Sequence, residues 1–181
     1  MTTSSATDTT PRAWVGCLHC YNEGRLIGEW FDAATADEVT LADVHEGFDY
    51  AECEELWVMD HGNIPVRGEL DPLTAAAWGQ CLTEVDEHLR PALCAWVESG
   101  NYVTEGDTDL PSISDFEESY CGEWDSFEDY AENLADDIGL LDGVPEEIAR
   151  YFDWSAWTRD LAFDYWTCDD PEGGVFVFRV L

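Results

Sequence analysis

The chain has 181 residues, and its 41 aspartates and glutamates stand against only seven arginines and no lysine, which gives a formal net charge of −34. So few cations cannot neutralise a run of phosphates or settle on an anionic lipid surface, which excludes direct nucleic-acid binding and membrane-surface binding. Because 45% of the residues are hydrophobic and 13% aromatic, the chain can bury a core, unlike a disordered polyanion.

The first part of the chain predicts a tail followed by strands. Residues 1–12 are rich in Ser and Thr and lack an apolar core, so we interpret them as a flexible tail and not as a signal peptide. Residues 13–20 predict a first strand and residues 25–30 a second, with a turn at residues 22–24 between them. A further strand is predicted at residues 56–59. The sequence contains no stretch of 18 apolar residues, so no transmembrane helix is predicted.

Capping residues predict where the helices begin. Thr35 and Glu38 have the spacing of a capping box, which predicts a short helix to about Glu46 that Gly47 stops. Asp71 before Pro72 is an N-cap followed by proline at the first helical position, and residues 68–100 predict a helical pair. Further helices are predicted after Pro91, after a capping box at Asp125 and Glu128, at residues 144–151, and after the N-cap Asp153. Two more strands are predicted at residues 165–168 and 175–180.

The acidity is unevenly distributed and divides the chain into three parts. Residues 1–61 carry a net charge of −11, residues 62–104 only −4, and residues 105–181 carry −19. With the predicted elements, this division indicates an α+β fold class with small antiparallel sheets at the ends and a helical middle. We expect the tail 1–12, an N-terminal α+β domain at 13–61, a central helical domain at 62–104 and an acidic C-terminal α+β domain at 105–181.

Three explanations compete for this acidity. Adaptation to high salt would make every segment acidic, whereas residues 62–104 carry a net charge of only −4. A solvated face that aids solubility is the ordinary explanation for a run of charge. A surface that imitates a polyanion would bind proteins that normally hold DNA or RNA, and composition does not separate the last two.

The low charge of residues 62–104 also bears on self-association. Interface cores are depleted in charge, so this segment is the place where two strongly acidic copies could approach each other. We therefore expect a homodimer formed through residues 62–104. The alternative is that these helices only pack on the rest of their own chain.

The cysteines do not form a recognisable metal motif. Cys17 and Cys20 are one close pair, but a zinc site needs four ligands and no second pair follows at the usual spacing. Positions three apart in a strand also point to opposite faces. We therefore predict no metal and interpret the seven cysteines as reduced thiols of a cytoplasmic protein.

No catalytic motif is present in the sequence. The four histidines lack the zinc-protease spacing, and neither a nucleophile-elbow nor a phosphate-loop pattern occurs. We therefore expect a protein that is not an enzyme, with no catalytic residue and no cofactor.

Three stretches of the sequence resemble one known family. Residues 21–32 (YNEGRLIGEWFD) resemble the opening signature of the ArdA antirestriction proteins, and residues 120–131 (YCGEWDSFEDYA) look like their second one. Residues 151–161 (YFDWSAWTRDL), followed by residues 175–179 (VFVFR), are similar to their C-terminal region. The similarity runs from about Val15 to the end of the chain.

The resemblance implies a DNA mimic, carried by mobile genetic elements, that occupies the DNA-binding groove of type I restriction-modification enzymes and inhibits them. It also implies an elongated dimer with three small domains per chain, the central one helical. The alternative is an acidic, salt-adapted binding domain that holds another basic protein.

Helix periodicity indicates which carboxylates would imitate phosphates. The predicted helix at residues 127–138 places its apolar residues on one arc of about 140° and its acids on the other side. The predicted phosphate-like row consists of Glu128, Asp129, Glu132, Asp136 and Asp137, and a second, weaker set of Glu38, Asp43 and Glu46. A merely solvated face is the alternative for both sets.

Overall fold

The computed structural model describes residues 8–47 and 49–181 and divides the chain into two compact units. The first extends to Ile113 and the second comprises Ser114–Leu181. Helices and two three-stranded antiparallel sheets make up the described residues, so the predicted α+β class is confirmed. The division into three domains stays a prediction. Within the described residues, no helix combines the length and apolar character needed to cross a membrane.

The sheet of the first unit is built around its earliest strand. Alternate residues Ala13, Val15 and Cys17 of that strand are fully buried, the period-two pattern of a strand with one face on a core. The strand lies centrally and pairs antiparallel with both neighbours, in the order β2-β1-β3. The three strands are β1 (Arg12–Cys17), β2 (Gly28–Asp32) and β3 (Leu56–Gly62).

The predicted first strand was too long. It ends at Cys17, and helix α1 (Leu18–Asn22) follows directly. The alternation of buried residues stops there, and the next buried side chain is Cys20, three positions on, as on one face of a helix. The Cys20 N–H donates to Cys17 Sγ at 3.5 Å, so the Cys17 side chain caps the new helix. The two cysteines therefore do not point to opposite faces.

The predicted capping box at Thr35 and Glu38 was also wrong. Those residues lie in a 3₁₀ helix (Ala33–Glu38) that Asp32 caps by accepting a hydrogen bond from the Ala34 N–H at 2.9 Å. The capping box lies one turn later, at Thr40 and Asp43, and begins helix α2 (Leu41–His45). Both choices have the same three-residue spacing, and the 3₁₀ helix that holds the first one buries Ala33 and Ala36 completely.

The end of helix α2 agrees with the sequence signal. Glu46 adopts a left-handed conformation with φ of 35°, and Gly47 follows with φ of 94°. Glycine is the residue that adopts positive φ without steric cost, so its position past the helix is the expected one.

The predicted helical pair in the middle of the chain is confirmed. Helix α3 (Pro72–Thr83) begins at Asp71, whose Oδ1 accepts a hydrogen bond from the Thr74 N–H at 2.9 Å. Helix α4 (Arg90–Glu98) follows a short 3₁₀ turn. The buried residues of the pair include Trp78, Cys81, Leu82, Leu93, Trp96 and Val97.

Helix α3 lies very close to the 3₁₀ helix of the first unit. A Cβ atom built on Gly79 would lie 2.3 Å from the Ala34 backbone nitrogen, a distance that no real Cβ contact shows. Next to it, Gln80 Nε2 donates to the Ala34 carbonyl at 3.0 Å. Gly79 is thus required for the close approach of the two backbones.

The second unit is organised around its last strand. Phe176, Val177 and Phe178 on that strand are buried consecutively, so both of its faces are covered. The strand is also the central one of its sheet, in the order β4-β6-β5. The elements are α5 (Ile113–Ser119), β4 (Tyr120–Trp124), α6 (Phe127–Asp137), α7 (Glu146–Ala149), α8 (Trp154–Leu161), β5 (Tyr165–Asp169) and β6 (Val175–Arg179).

Several details of the second unit differ from expectation. The N-cap of α6 is Ser126, whose Oγ accepts a hydrogen bond from the Asp129 N–H at 3.2 Å, and not Asp125. Helix α7 is shorter than the predicted 144–151, and neither α5 nor β4 was predicted. Asp153 caps α8 as expected, through a 3.0 Å hydrogen bond from the Ala156 N–H.

Candidate functional site

The acidic side of helix α6 lies open to solvent. Its opposite side carries the buried residues Tyr130, Ala131 and Ala135, which orient the helix on the core. All five carboxylates of the predicted row are exposed. We call them the α6 acidic face, which consists of Glu128, Asp129, Glu132, Asp136 and Asp137.

Aromatic packing holds the helix that carries this face. The Tyr130 ring lies 5.1 Å from the Tyr165 ring and 5.5 Å from the Trp124 ring, measured between centroids. Trp157 Nε1 donates a hydrogen bond to the Ala131 carbonyl at 3.2 Å, which ties α8 to α6. The charges therefore stand on a packed support, so little ordering is needed when a partner binds.

The α6 acidic face lies in a unit with few cations. The second unit has 19 acidic residues and three arginines, a net charge of −16. Arg159 pairs with Asp160 at 3.0 Å and Arg179 with Glu118 at 3.6 Å. Across residues 8–47 and 49–181, no arginine forms an ion pair with a carboxylate of the face.

The spacing along the face is comparable with that of a nucleic-acid backbone. Glu128, Glu132 and Asp136 follow one another at i, i+4 and i+8, which in an α-helix is a rise of about 6 Å per step. One DNA strand presents a phosphate about every 3.4 Å along its axis. A helix face can therefore offer anionic groups at a density of the same order, without bases.

The second predicted set is exposed but less regular. Glu38 ends the 3₁₀ helix, Asp43 lies in α2, and Glu46 is the left-handed residue after it, so they do not share one helix face. Hydrogen bonds from the Thr40 hydroxyl and backbone N–H lower the pKa of Asp43. This carboxylate therefore caps its own helix, which occupies one of its oxygens.

A carboxyl pair that the sequence did not indicate lies in the second unit. Desolvation, followed by the negative charge of Asp170, raises the pKa of Glu123 on β4. Asp170 is buried in the turn before β6, where its Oδ1 accepts a hydrogen bond from the Glu172 N–H at 3.0 Å. The sequence presents Asp170 only as part of an acidic turn, and its partner lies 47 positions earlier.

The structure also brings together four residues that can ligate a metal ion, two of them the close pair Cys17 and Cys20. Cys17, Cys20, His45 and Cys53 place their ligand atoms within 4.8 Å of one another, and all four are buried. We call them the thiol–imidazole cluster. The only sequence signal was the Cys17–Cys20 spacing, because His45 and Cys53 are distant along the chain.

Comparison with known proteins identifies the family. The described residues form an acidic α+β chain in which one helix face carries five exposed carboxylates. A family model described as antirestriction protein (ArdA) matches residues 13–171, so the chain belongs to this antirestriction family, as its signature stretches indicated. A search of curated proteins found no match to the chain.

Proposed function

We propose that the protein is a DNA mimic that occupies the DNA-binding groove of type I restriction-modification enzymes and thereby inhibits them. The observation that supports this most directly is the α6 acidic face, five exposed carboxylates without an arginine partner on a packed helix. Membership of the antirestriction family supplies the kind of target.

Binding would use many weak contacts at once. An exposed ion pair contributes about 0.2–1 kcal/mol, whereas nanomolar affinity corresponds to about −12 kcal/mol. The affinity must therefore be distributed over several acidic groups, including the second set Glu38, Asp43 and Glu46. The long-range charge would also speed encounter with a cationic groove.

The protein would act by occupancy and not by turnover. Inhibition should reach completion at a fixed molar ratio to the target, because an inhibitor that occupies a groove is needed once for every groove. Such an inhibitor, carried on a mobile element, would act in the cytoplasm, where restriction enzymes meet incoming DNA. The organisation into domains 13–61, 62–104 and 105–181 belongs to the same proposal.

We also propose that two copies form an elongated dimer through residues 62–104. This segment carries a net charge of only −4. It exposes two large apolar side chains, Leu73 at 70% and Val103 at 40% of their surface. A dimer would double the length of the acidic array that a duplex-binding groove meets.

The test measures affinity for a type I methyltransferase core as a function of salt. Single Asp→Asn or Glu→Gln variants of the α6 acidic face should change the Kd little. The fivefold variant should weaken binding by about 1–5 kcal/mol, roughly fivefold to several thousandfold, and flatten the salt dependence. Duplex DNA should displace the wild-type protein.

A matched control removes the same charge elsewhere. The control variant neutralises five exposed acids of the central segment, Glu69, Glu84, Asp86, Glu87 and Glu98. It should bind more tightly than the α6 variant. Equal losses would mean that net charge, and not the face, governs binding, and failure to bind any type I core would favour the alternative of another basic partner.

A further inference from the structure

We infer that the thiol–imidazole cluster binds one Zn²⁺ ion, which fixes the fold of the N-terminal segment. Three thiols and one imidazole are a ligand set of structural zinc sites, which are closed and tetrahedral. The inference is independent of the proposed function, since none of the four side chains belongs to the acidic surface.

Two distances in the cluster match the edges of a zinc tetrahedron, and the four ligand atoms all lie within 4.8 Å of one another. Bond lengths of about 2.3 Å to sulfur and 2.0–2.1 Å to nitrogen give edges of about 3.8 Å between sulfurs and about 3.6 Å between sulfur and nitrogen. Cys20 Sγ lies 3.8 Å from Cys53 Sγ and 3.6 Å from His45 Nε2. A disulfide would require about 2.05 Å, and all the cysteines are free.

The histidine is held in the tautomer that a metal needs. His45 Nδ1 lies 2.7 Å from the Leu41 carbonyl oxygen, which only accepts hydrogen bonds, so the ring proton is on Nδ1. The lone pair of Nε2 then faces the Cys20 sulfur. A hydrogen bond from the second ring nitrogen to a carbonyl is the usual support of a metal-ligating histidine.

The backbone around Cys17 and Cys20 is shaped for a pair of thiolate ligands. The change from β1 to α1 after Cys17 brings both sulfurs to one side, and the Cys20 N–H donates to Cys17 Sγ at 3.5 Å. This bond would stabilise a thiolate at Cys17. Binding of Zn²⁺ would release the three thiol protons and leave the site with a charge of −1.

The segment that follows α2, residues 46–55, would be held in place by such an ion. Among the described residues of 46–55, Cys53 alone is buried, and the segment carries five acids and no arginine. Besides Cys53, the described part of this segment offers the Tyr50 ring, which is 40% exposed and lies 5.2 Å from the His45 ring. The described residues therefore bury little apolar surface to offset the entropy of ordering the segment. Coordination by an ion that also holds β1, α1 and α2 would fix this acidic segment in place.

The experiment determines the metal content of the full-length chain, purified with a reducing agent and without chelators. We expect one zinc per chain. After removal by a zinc chelator, the protein should bind Zn²⁺ or Co²⁺ in the presence of millimolar Mg²⁺, which saturates weak sites on the acidic surface. Bound Co²⁺ should show the thiolate charge-transfer absorption of tetrahedral cobalt.

Matched variants assign the site. Cys20→Ser and Cys53→Ser should each lower Zn²⁺ affinity at least about tenfold. Cys94→Ser, a change of the same kind outside the cluster, should leave it unaltered. If a variant does not fold, thiol alkylation of the wild-type protein tests the site instead. Removal of zinc by a chelator should increase the alkylation rate of Cys17, Cys20 and Cys53 and leave that of Cys81 unchanged.

Three results would overturn the inference. One is a wild-type protein that is purified without zinc and binds neither Zn²⁺ nor Co²⁺. Another is wild-type affinity in both ligand variants, which would place the metal elsewhere. The third is iron in place of zinc, which would overturn the identity of the ion.

Discussion

Replacing Gly79 by alanine sets two physical effects of opposite sign against each other. In a helix interior, alanine is about 1 kcal/mol more favourable than glycine, so helix propensity alone predicts stabilisation. The new Cβ atom, however, would lie 2.3 Å from the Ala34 nitrogen and 2.5 Å from the Ala33 carbonyl carbon. Both are backbone atoms, which cannot rotate aside as a flexible side chain would.

We expect packing to prevail. Inserting a methyl group into a well-packed interior costs about 1–3 kcal/mol, and a contact with backbone belongs to the upper part of that range. After subtraction of the propensity gain, Gly79→Ala should lower the free energy of unfolding by about 1–2 kcal/mol. For a unit of this size, that corresponds to a fall in Tm of several degrees.

Urea unfolding followed by circular dichroism and tryptophan fluorescence measures this loss. Ala77→Gly, in the same helix, serves as the control for propensity and should cost about 1 kcal/mol. If Gly79→Ala were as stable as the wild type or more stable, the close approach of helix α3 to the 3₁₀ helix would be refuted.

Three further outcomes are expected. Leu73→Glu should convert the proposed dimer to a monomer in sedimentation at moderate salt. Ile148→Glu, at a similarly exposed position outside residues 62–104, should not, and the reverse pattern would contradict the proposed interface. Asp71→Ala should lower the free energy of unfolding by about 0.5–2 kcal/mol at pH 7, because the helix cap is lost. Hydrogen bonds from Thr74 lower the pKa of Asp71, so the stability that this carboxylate contributes is present above its ordinary pKa of 3.8 and is lost as pH falls through the pKa of the folded state. The urea midpoints of wild type and variant should therefore converge at low pH. Glu123→Gln should stabilise the protein at pH 7. Desolvation and the charge of Asp170 raise the pKa of Glu123, so the stability that this carboxyl group contributes is present below its ordinary pKa of 4.5 and is lost as pH rises through the pKa of the folded state. An unchanged urea midpoint at pH 7 would argue against an unfavourable interaction between Glu123 and Asp170.

Local signals allowed much of the fold to be predicted. Asp71 with Pro72, and Asp153, marked helix starts correctly because an N-cap acts within three residues of its own position. The failures at Thr35 and Asp125 have a common cause. In each region two capping candidates lie close together, and helix α2 begins at Thr40 and helix α6 at Ser126.

The α6 acidic face and the thiol–imidazole cluster differ in how far local sequence signals predict them. The α6 acidic face could be predicted, since one amphipathic helix determines both its buried and its exposed side. The thiol–imidazole cluster could not, because it joins three segments that only the tertiary fold brings together. Extending the first strand to Cys20 by three residues was enough to hide it.

The two small sheets give the acidity a second consequence, which concerns aggregation. Each three-stranded sheet has edge strands whose free N–H and C=O groups could pair with another copy. The outer side of β3 is engaged by a bridge to Leu70, whereas the edge strand β2 carries exposed Glu29 and Asp32, and β5 carries exposed Asp169. Pairing of such edges between copies would bring like charges together, so neutral solutions should stay clear at high concentration. Near pH 4, where carboxylates take up protons, that repulsion fades, and the protein should precipitate through these edges before its units unfold.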